Sequence, residues 1–327
     1  MKILVIGGAG YIGSHMVKLL SEKSCDLTIL DDLSTGHASS VLAGELVIGN
    51  FGNSKLLDSL LCKHFDVIMH FAAFSQVEGS VLNPGDYYQN NVLNTHVLLE
   101  GMRRHKLNNL IFSSTAAVYG NPVDIPIDEA HQKAPINPYG KSKWMVEQML
   151  NDYRNAYGLN SISLRYFNAS GADPLAQIGE RHHPETHLIP LVLQTASGQR
   201  EAISIFGRNH PTGDGTCVRD YVHVEDVCDA HWLALKFLMS GGLTPAFNIG
   251  YGIGYSVEQV IDECLRITNR TFKVIEANER IGDPAILIAN SDLIRRQLGW
   301  SPKYKDLSVI IEHAWNWEMK QHGSVTI

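Results

Sequence analysis

Every window of about twenty residues in the chain is interrupted by polar groups, which excludes a membrane-spanning helix. There is no basic run of five residues or more. The 27 Lys and Arg against 34 Asp and Glu leave a formal charge of −7, so a nucleic-acid backbone would meet net repulsion. Neither nucleic acid nor membrane is an expected partner. There is also no Cys-x-x-Cys pair: Cys25, Cys62, Cys217, Cys228 and Cys264 are odd in number and widely spaced. They read as free thiols of a reducing compartment, which makes the expected location cytoplasmic. The apolar stretch before Gly7 is too short to read as a secretory signal. Internal repeats and low-complexity tracts are missing as well. What is there is a 327-residue chain, 44% hydrophobic and 19% charged, long enough to bury a large core and about two domains in length.

Apolar runs of strand length recur at Lys2–Ile6, 27–30, 46–48, 67–71, 110–113 and 162–166, with room for a crossover helix between most of them. Helical spacing marks Ile12, Met16, Leu19 and Leu20; then Tyr88, Val92, Thr95, Leu99 and Met102; and then 139–157. Strand and helix in alternation predict an α/β fold, a doubly wound parallel sheet of about six strands of the Rossmann type. Beyond Asn168 the connections turn Gly-, Pro- and His-rich, as suits a smaller C-terminal domain over residues 169–327. The helix-like 224–238 and the strand-like 246–250 read as returns to the first domain, so residues 1–168 are expected to be rejoined by about 222–250.

Gly7, Gly10 and Gly13 stand between the first strand and the first helix. There a tight turn, close approach to a pyrophosphate and close helix packing each call for a missing Cβ. The N–H groups of Tyr11 and Ile12 at the helix start would face the phosphates. Asp31 ends the second strand, 18 residues after Gly13, where a carboxylate accepts the hydroxyls of an adenine ribose and repels a 2′-phosphate. The expected cofactor is NAD. Asp32 is either a second ribose contact or a solvated loop charge.

Tyr139 and Lys143 stand at i and i+4 on one helix face, and Thr115 follows a strand at the carboxyl edge of the sheet. A neighbouring positive charge, from Lys143 and from an oxidised nicotinamide, favours the phenolate of a tyrosine, so Tyr139 is a candidate general base, with Thr115 bridging it to a substrate hydroxyl. A Tyr and a Lys so spaced are also common surface decoration.

Together these residues resemble the extended branch of the short-chain dehydrogenase/reductase family. Residues 112–120, 138–143, 164–169, 214–224 and 280–283 are similar, in order and spacing, to the UDP-glucose 4-epimerases over essentially the whole chain. The resemblance implies NAD-dependent interconversion of UDP-glucose and UDP-galactose through a transient 4-keto sugar, with Tyr139, Lys143 and Thr115 catalytic. It extends the cofactor contacts to Asn50, Phe51, Phe71, Ala72, Ala73, Asn90, Ser113 and Tyr166. It makes Phe167, Asn168, His187, Leu188, Arg219, Tyr221, Arg280 and Asp283 substrate contacts, alongside Thr115 and Tyr139. Arg219 and Arg280 would clamp the diphosphate, Tyr221 would flank the uracil and Asp283 would accept from the ribose. The plain readings are surface ion pairs for the arginines and a helix cap for Asp283. A homodimer through the helices at 88–103 and 144–157 is implied too, although their apolar stripes equally suit packing on the sheet.

His182, His183, Glu185 and His187 tempt a zinc assignment. Pro184 interrupts helical pairing and the family carries no catalytic metal there, so no metal is expected. Glu78-Gly79 stands where the family has Gly-Glu, and Leu287 falls where the family sets the width of the sugar pocket. Another UDP-sugar (UDP-GlcNAc, UDP-xylose or UDP-glucuronate) therefore stays open. Ala116-Ala117 after Thr115 supplies no carboxyl group for dehydration or decarboxylation. A non-catalytic NAD-sensing regulator would typically lack the tyrosine or the lysine.

Overall fold

The computed structural model describes residues 1–280 and 283–322. Its centre is a parallel sheet of seven strands. Six are β1 (Lys2–Ile6), β2 (Asp26–Asp31), β3 (Glu45–Ile48), β4 (Val67–His70), β5 (Asn109–Thr115) and β6 (Asn160–Tyr166). The seventh, Ala246–Ile249, pairs in parallel with β6, and the spatial order is Ala246–Ile249, β6, β5, β4, β1, β2, β3. The sheet is that of the expected fold, with one strand more than the six first runs supply. Strand order reverses between β1 and β4, which opens a crevice at their carboxyl ends.

Both faces of this sheet are buried, which is why its strands read as unbroken apolar runs. Ile3 and Val5 face one core with Ile29, Met69 and Ile162, covered by α1 (Tyr11–Glu22) and the helix Val224–Met239. Leu4 and Ile6 face the other with Leu30, Ile68 and Phe112, covered by Leu57, Leu98, Met102, Val146 and Leu150.

The helix Pro138–Tyr157 begins where Asn137 accepts a hydrogen bond from the Gly140 amide at 2.8 Å and Pro138 takes the first turn; it ends at Gly158, whose φ of 72° suits glycine. Its buried stripe carries Tyr139, Lys143 and Glu147 among Val146 and Leu150, so a packing face bears polar groups. The helix expected around Tyr88–Met102 is interrupted. Tyr88–Leu93 is a wider π-helical turn leading into Asn94–Arg104, and the inserted residue turns Asn91 and Asn94 inward.

After β6 the chain forms short pairings: Asn168–Ser170 with Tyr221–His223, Val218–Arg219 with both Tyr255–Ser256 and Ile286–Leu287, and Ala202–Phe206 with Lys273–Ala277. Among the described residues no helix is long and apolar enough to cross a membrane.

Candidate active site

The glycine loop sits at the β1–β4 crevice. Gly7 has φ +81°, and a Cβ on it would come within 2.3 Å of the Ala72 amide nitrogen; one on Gly13 would come within 2.0 Å of the Gly7 carbonyl oxygen. Gly10 precedes α1 in extended conformation and offers no side-chain cap, so the first-turn N–H groups of Tyr11, Ile12 and Gly13 are left for another acceptor. A backbone cradle that side chains would fill, backed by free amide donors, fits a dinucleotide diphosphate.

Asp31 accepts from the Ala9 and Leu33 amides, each at 2.9 Å, and burial lifts its carboxyl above the usual range. Asp32 is not a free loop charge. Burial would raise it, but bonds from Ser34 (3.0 Å) and Asn50 Nδ2 (2.8 Å) hold it below the usual range. Asn50 in turn accepts from Asn94 Nδ2 at 3.3 Å, and Asn94 also reaches Asn90 Oδ1 at 3.4 Å. Phe51 packs edge-on to His70, Phe71 lies against His231, and Ala72 donates to the Ile6 carbonyl at 3.1 Å with Ala73 following it. The Tyr11 hydroxyl donates to the Gly171 carbonyl at 2.7 Å.

β5 delivers Ser113 and Thr115 to the same edge, opposite Tyr139 and Lys143. Thr115 and Tyr139 are each 8% exposed; the Thr115 hydroxyl accepts from the Ala117 amide at 3.1 Å and acts on the Tyr139 phenol to lower its pKa. The Lys143 ammonium, 3% exposed, donates to the Ser113 carbonyl at 2.8 Å and lies 4.8 Å over the Phe112 ring. Ser113 Oγ lies 3.2 Å from His231 Nε2, and burial raises the pKa of the Tyr166 phenol.

The electrostatics describe the site before the positive charge of a nicotinamide is added. Burial pushes the Tyr139 phenol up to about 12, the Thr115 hydroxyl only partly opposing it, and burial pulls Lys143 down to about 7. The ammonium is directed at the Ser113 carbonyl, so desolvation outweighs attraction between ammonium and phenolate. In the protein alone the tyrosine is therefore a protonated acid held ready, not a preformed base.

On the substrate side the expected residues divide. Phe167 packs with Ala116, Val118 and Leu287, and Asn168 is half-buried beside Tyr221. His187 and Leu188 open the helix Leu188–Ala196. Arg219 is paired with the Asp283 carboxylate and also donates to the Val218 carbonyl at 2.8 Å, which is the ion-pair arrangement of the plain reading. Arg280 is exposed and stacks on the Phe206 ring at 3.8 Å. Ile281 and Gly282, between Arg280 and Asp283, lie outside the described residues. Tyr221 is 5% exposed and packs with the main core.

The model of the NAD dependent epimerase/dehydratase family matches residues 3–250. The chain belongs to that family. It is 49% identical over 328 residues to the UDP-glucose 4-epimerase of Halalkalibacterium halodurans, covering 100% of this chain and 98% of that one. It superposes with a TM-score of 0.94 on the crystal structure of UDP-glucose 4-epimerase from Brucella ovis in complex with NAD, at 43% identity over 97% of this chain and 98% of that one. Against the UDP-Glc/GlcNAc 4-epimerase from Campylobacter jejuni the TM-score is 0.85, at 39% identity over 98% and 99% of the two chains.

Within this epimerase/dehydratase family member the structure also shows groups that sequence reasoning missed. Glu147 follows Lys143 by one more turn of the same stripe. Its carboxylate accepts from Ser114 Oγ at 2.5 Å and from Arg165 Nη2 at 2.5 Å, both side chains of the ion pair about 95% buried. Arg165 also donates to the Tyr119 hydroxyl at 2.9 Å, which donates to Asn248 at 2.7 Å. The signal was a third polar residue on an apolar stripe. Asn91, on the π-helical turn, bonds both the backbone amide and carbonyl of Phe74 and reaches Ser142 Oγ at 3.0 Å, tying the segment after β4 to the helix of Tyr139. Gly79 is explained by Tyr87, whose hydroxyl would lie 2.9 Å from a Cβ there.

Proposed function

We propose that the protein is an NAD-dependent 4-epimerase that interconverts UDP-glucose and UDP-galactose. The observation that carries this reading is the Thr115–Tyr139 hydroxyl pair, backed by Lys143, at the same sheet edge as the glycine cradle. The names of the full-length relatives support it. We take residues 1–168, rejoined by about 222–250, as the dinucleotide-binding part, and 169–327 as mainly the sugar-nucleotide part.

NAD, when bound, supplies the hydride acceptor at C4 and, once the sugar has turned over, the donor, so C4 inverts through a transient 4-keto sugar with no net reduction. Gly7, Gly10 and Gly13 admit the diphosphate, and Asp31 with Asp32 hold the adenine ribose. Thr115 orients the sugar 4-hydroxyl toward the Tyr139 oxygen, which takes its proton on oxidation and returns it on reduction. Lys143, on the same helix face one turn after Tyr139, is held by the Ser113 carbonyl at 2.8 Å. Arg219 and Arg280 would grip the UDP diphosphate, for which Arg219 must exchange Asp283 for phosphate.

A second reading is acceptance of UDP-GlcNAc. Leu287, half-buried against Phe167 and Ala116, places no large aromatic in the wall, and one structural relative is a UDP-Glc/GlcNAc 4-epimerase. Purified protein offered UDP-glucose, UDP-GlcNAc, UDP-xylose and UDP-glucuronate without added reductant is expected to convert UDP-glucose to UDP-galactose. No conversion of any of the four, with NAD bound, would leave only a regulator.

The helices at 88–104 and 138–157 expose Leu93, Met145 and Tyr157, which supports a homodimer through them. Light scattering should then give twice the chain mass of 36.2 kDa; a monomer at micromolar concentration would refute it. Five free cysteines support a cytoplasmic location, which cell fractionation checks.

A further inference from the structure

The loop before the helix Leu188–Ala196 gathers four metal-ligating side chains, of which only His187 was among the expected substrate contacts. Glu180, His182, Glu185 and His187 each direct one donor atom inward, all within 4.8 Å of one another. Glu180 Oε1 lies 2.6 Å from His187 Nδ1 and 3.2 Å from His182 Nδ1. Glu185 lies 3.3 Å from His187 Nδ1 and 3.6 Å from His182 Nδ1. A tetrahedral zinc ion with bonds of about 2.0–2.1 Å spaces its ligand atoms by roughly 3.3 Å, which three of these separations match, while Glu180 and His187 must part from 2.6 Å to admit it.

A second observation points the same way. The side chains of Glu180 and Glu185 are only 6% and 3% exposed, yet Glu180 Oε1 and His182 Nδ1 make no hydrogen bond of acceptable geometry. Glu185 Oε1 is met by the Thr186 and His187 amides at 2.7 and 2.9 Å, but Glu180 Oε1 and His182 Nδ1, buried and facing each other, are left for a cation at the centre. Two carboxylates and two neutral imidazoles carry a charge of −2, which a divalent ion cancels. The nitrogen donors and fourfold set favour zinc over magnesium or calcium, which take six or more oxygens.

We propose that Glu180, His182, Glu185 and His187 form a structural zinc site. Proline at 184 excludes helical i, i+4 pairing, which is why the sequence pattern argued against a metal; the loop brings the ligands together by doubling back instead. With four protein ligands no position stays open for substrate, so the ion braces the fold. What it braces is already stitched to the dinucleotide side. The His182 ring stands edge-on to Tyr11, the Arg181 carbonyl is 3.2 Å from His37 Nε2, and the Pro184 carbonyl accepts from Gln76 at 3.4 Å. The Trp317 indole donates to the Glu180 carbonyl at 2.9 Å on the other side. Zinc would lock His187 and Leu188 against the loop that cradles the cofactor. Without the metal, protons compete for the same place: burial alone would lower both histidines, but the two carboxylates raise them, His182 to about 9 and His187 to about 10.

The test uses full-length protein stripped with a chelator and titrated with zinc chloride, with cobalt(II) as the spectroscopic probe. One zinc per chain is expected by elemental analysis. The bound cobalt should show the intense visible bands of tetrahedral coordination and no near-ultraviolet thiolate band, which separates this site from the five cysteines. Zinc saturation should raise the melting temperature by roughly 5 °C. The double variant H182Q/E185Q should bind zinc at least ~100-fold more weakly, since loss of outer-shell partners alone costs up to that much. Failure of the wild-type chain to take up stoichiometric zinc, a six-coordinate cobalt spectrum, or equal affinity in the variant would each overturn the proposal. Should the variant not fold, the wild-type titration and spectrum still decide. No sugar nucleotide is involved, so the outcome is independent of the proposed reaction.

Discussion

Phenylalanine at position 139 is expected to leave the fold and bound NAD intact while lowering kcat for UDP-glucose by at least ~100-fold. The ring of Tyr139 is buried and its replacement fills the same space, so packing is conserved; what is removed is the one phenolic oxygen on which the Thr115 hydroxyl acts. That oxygen is the group available to take the proton of the sugar 4-hydroxyl, since Lys143 is turned to the Ser113 carbonyl. The phenol stands at about 12 in the protein alone, so at neutral pH the base form is scarce until positive charge gathers beside it. The wild-type rate should therefore rise with pH on its acid limb, and the Tyr139→Phe enzyme should lose that rise. Steady-state kinetics across pH check both, and an undiminished rate in the variant would remove the base assignment.

Arg165→Met is the second large effect, and it falls on stability. The guanidinium is the cation bonded to the Glu147 carboxylate, in a pair closed from water and completed by Ser114 and Tyr119. Removing one partner of a buried pair strands the other charge, at a cost of about 3–5 kcal/mol. Urea unfolding should show this as a lower midpoint. The double variant Glu147→Gln with Arg165→Met should recover more than half of the loss, because a neutral amide still accepts from Ser114 and no charge is stranded. A single variant within about 1 kcal/mol of wild type would show that the pair contributes little.

The strands were legible because a sheet buried on both faces needs apolar residues at consecutive positions, and the glycine loop was legible because a missing Cβ is itself visible in a sequence. Thr115, Tyr139 and Lys143 could be brought together from spacing plus the strand edge. The direction of their pKa shifts could not, since it depends on the Ser113 carbonyl and on burial that only packing sets. The π-helical turn at Tyr88–Leu93 was hidden because a 3.6-residue period carries no mark of an inserted residue. Tyr221 alternates along a short strand whose inward face no pattern identified. The ion pair of Arg219 and Asp283 joins residues 64 positions apart, and the cluster at 180–187 converges through a loop that has no periodicity to read.

The return of the chain at Ala246–Ile249 limits how this architecture can be divided. The last strand of the sheet is encoded some 80 residues after β6, so a gene shortened at residue 168 would yield a layer whose β6 border has lost its neighbour. The covering helix Val224–Met239 would be gone as well. The backbone leaves the sheet after β6, returns for Ala246–Ile249 and leaves again, so the seven-stranded layer is not one continuous stretch that recombination could lift out whole.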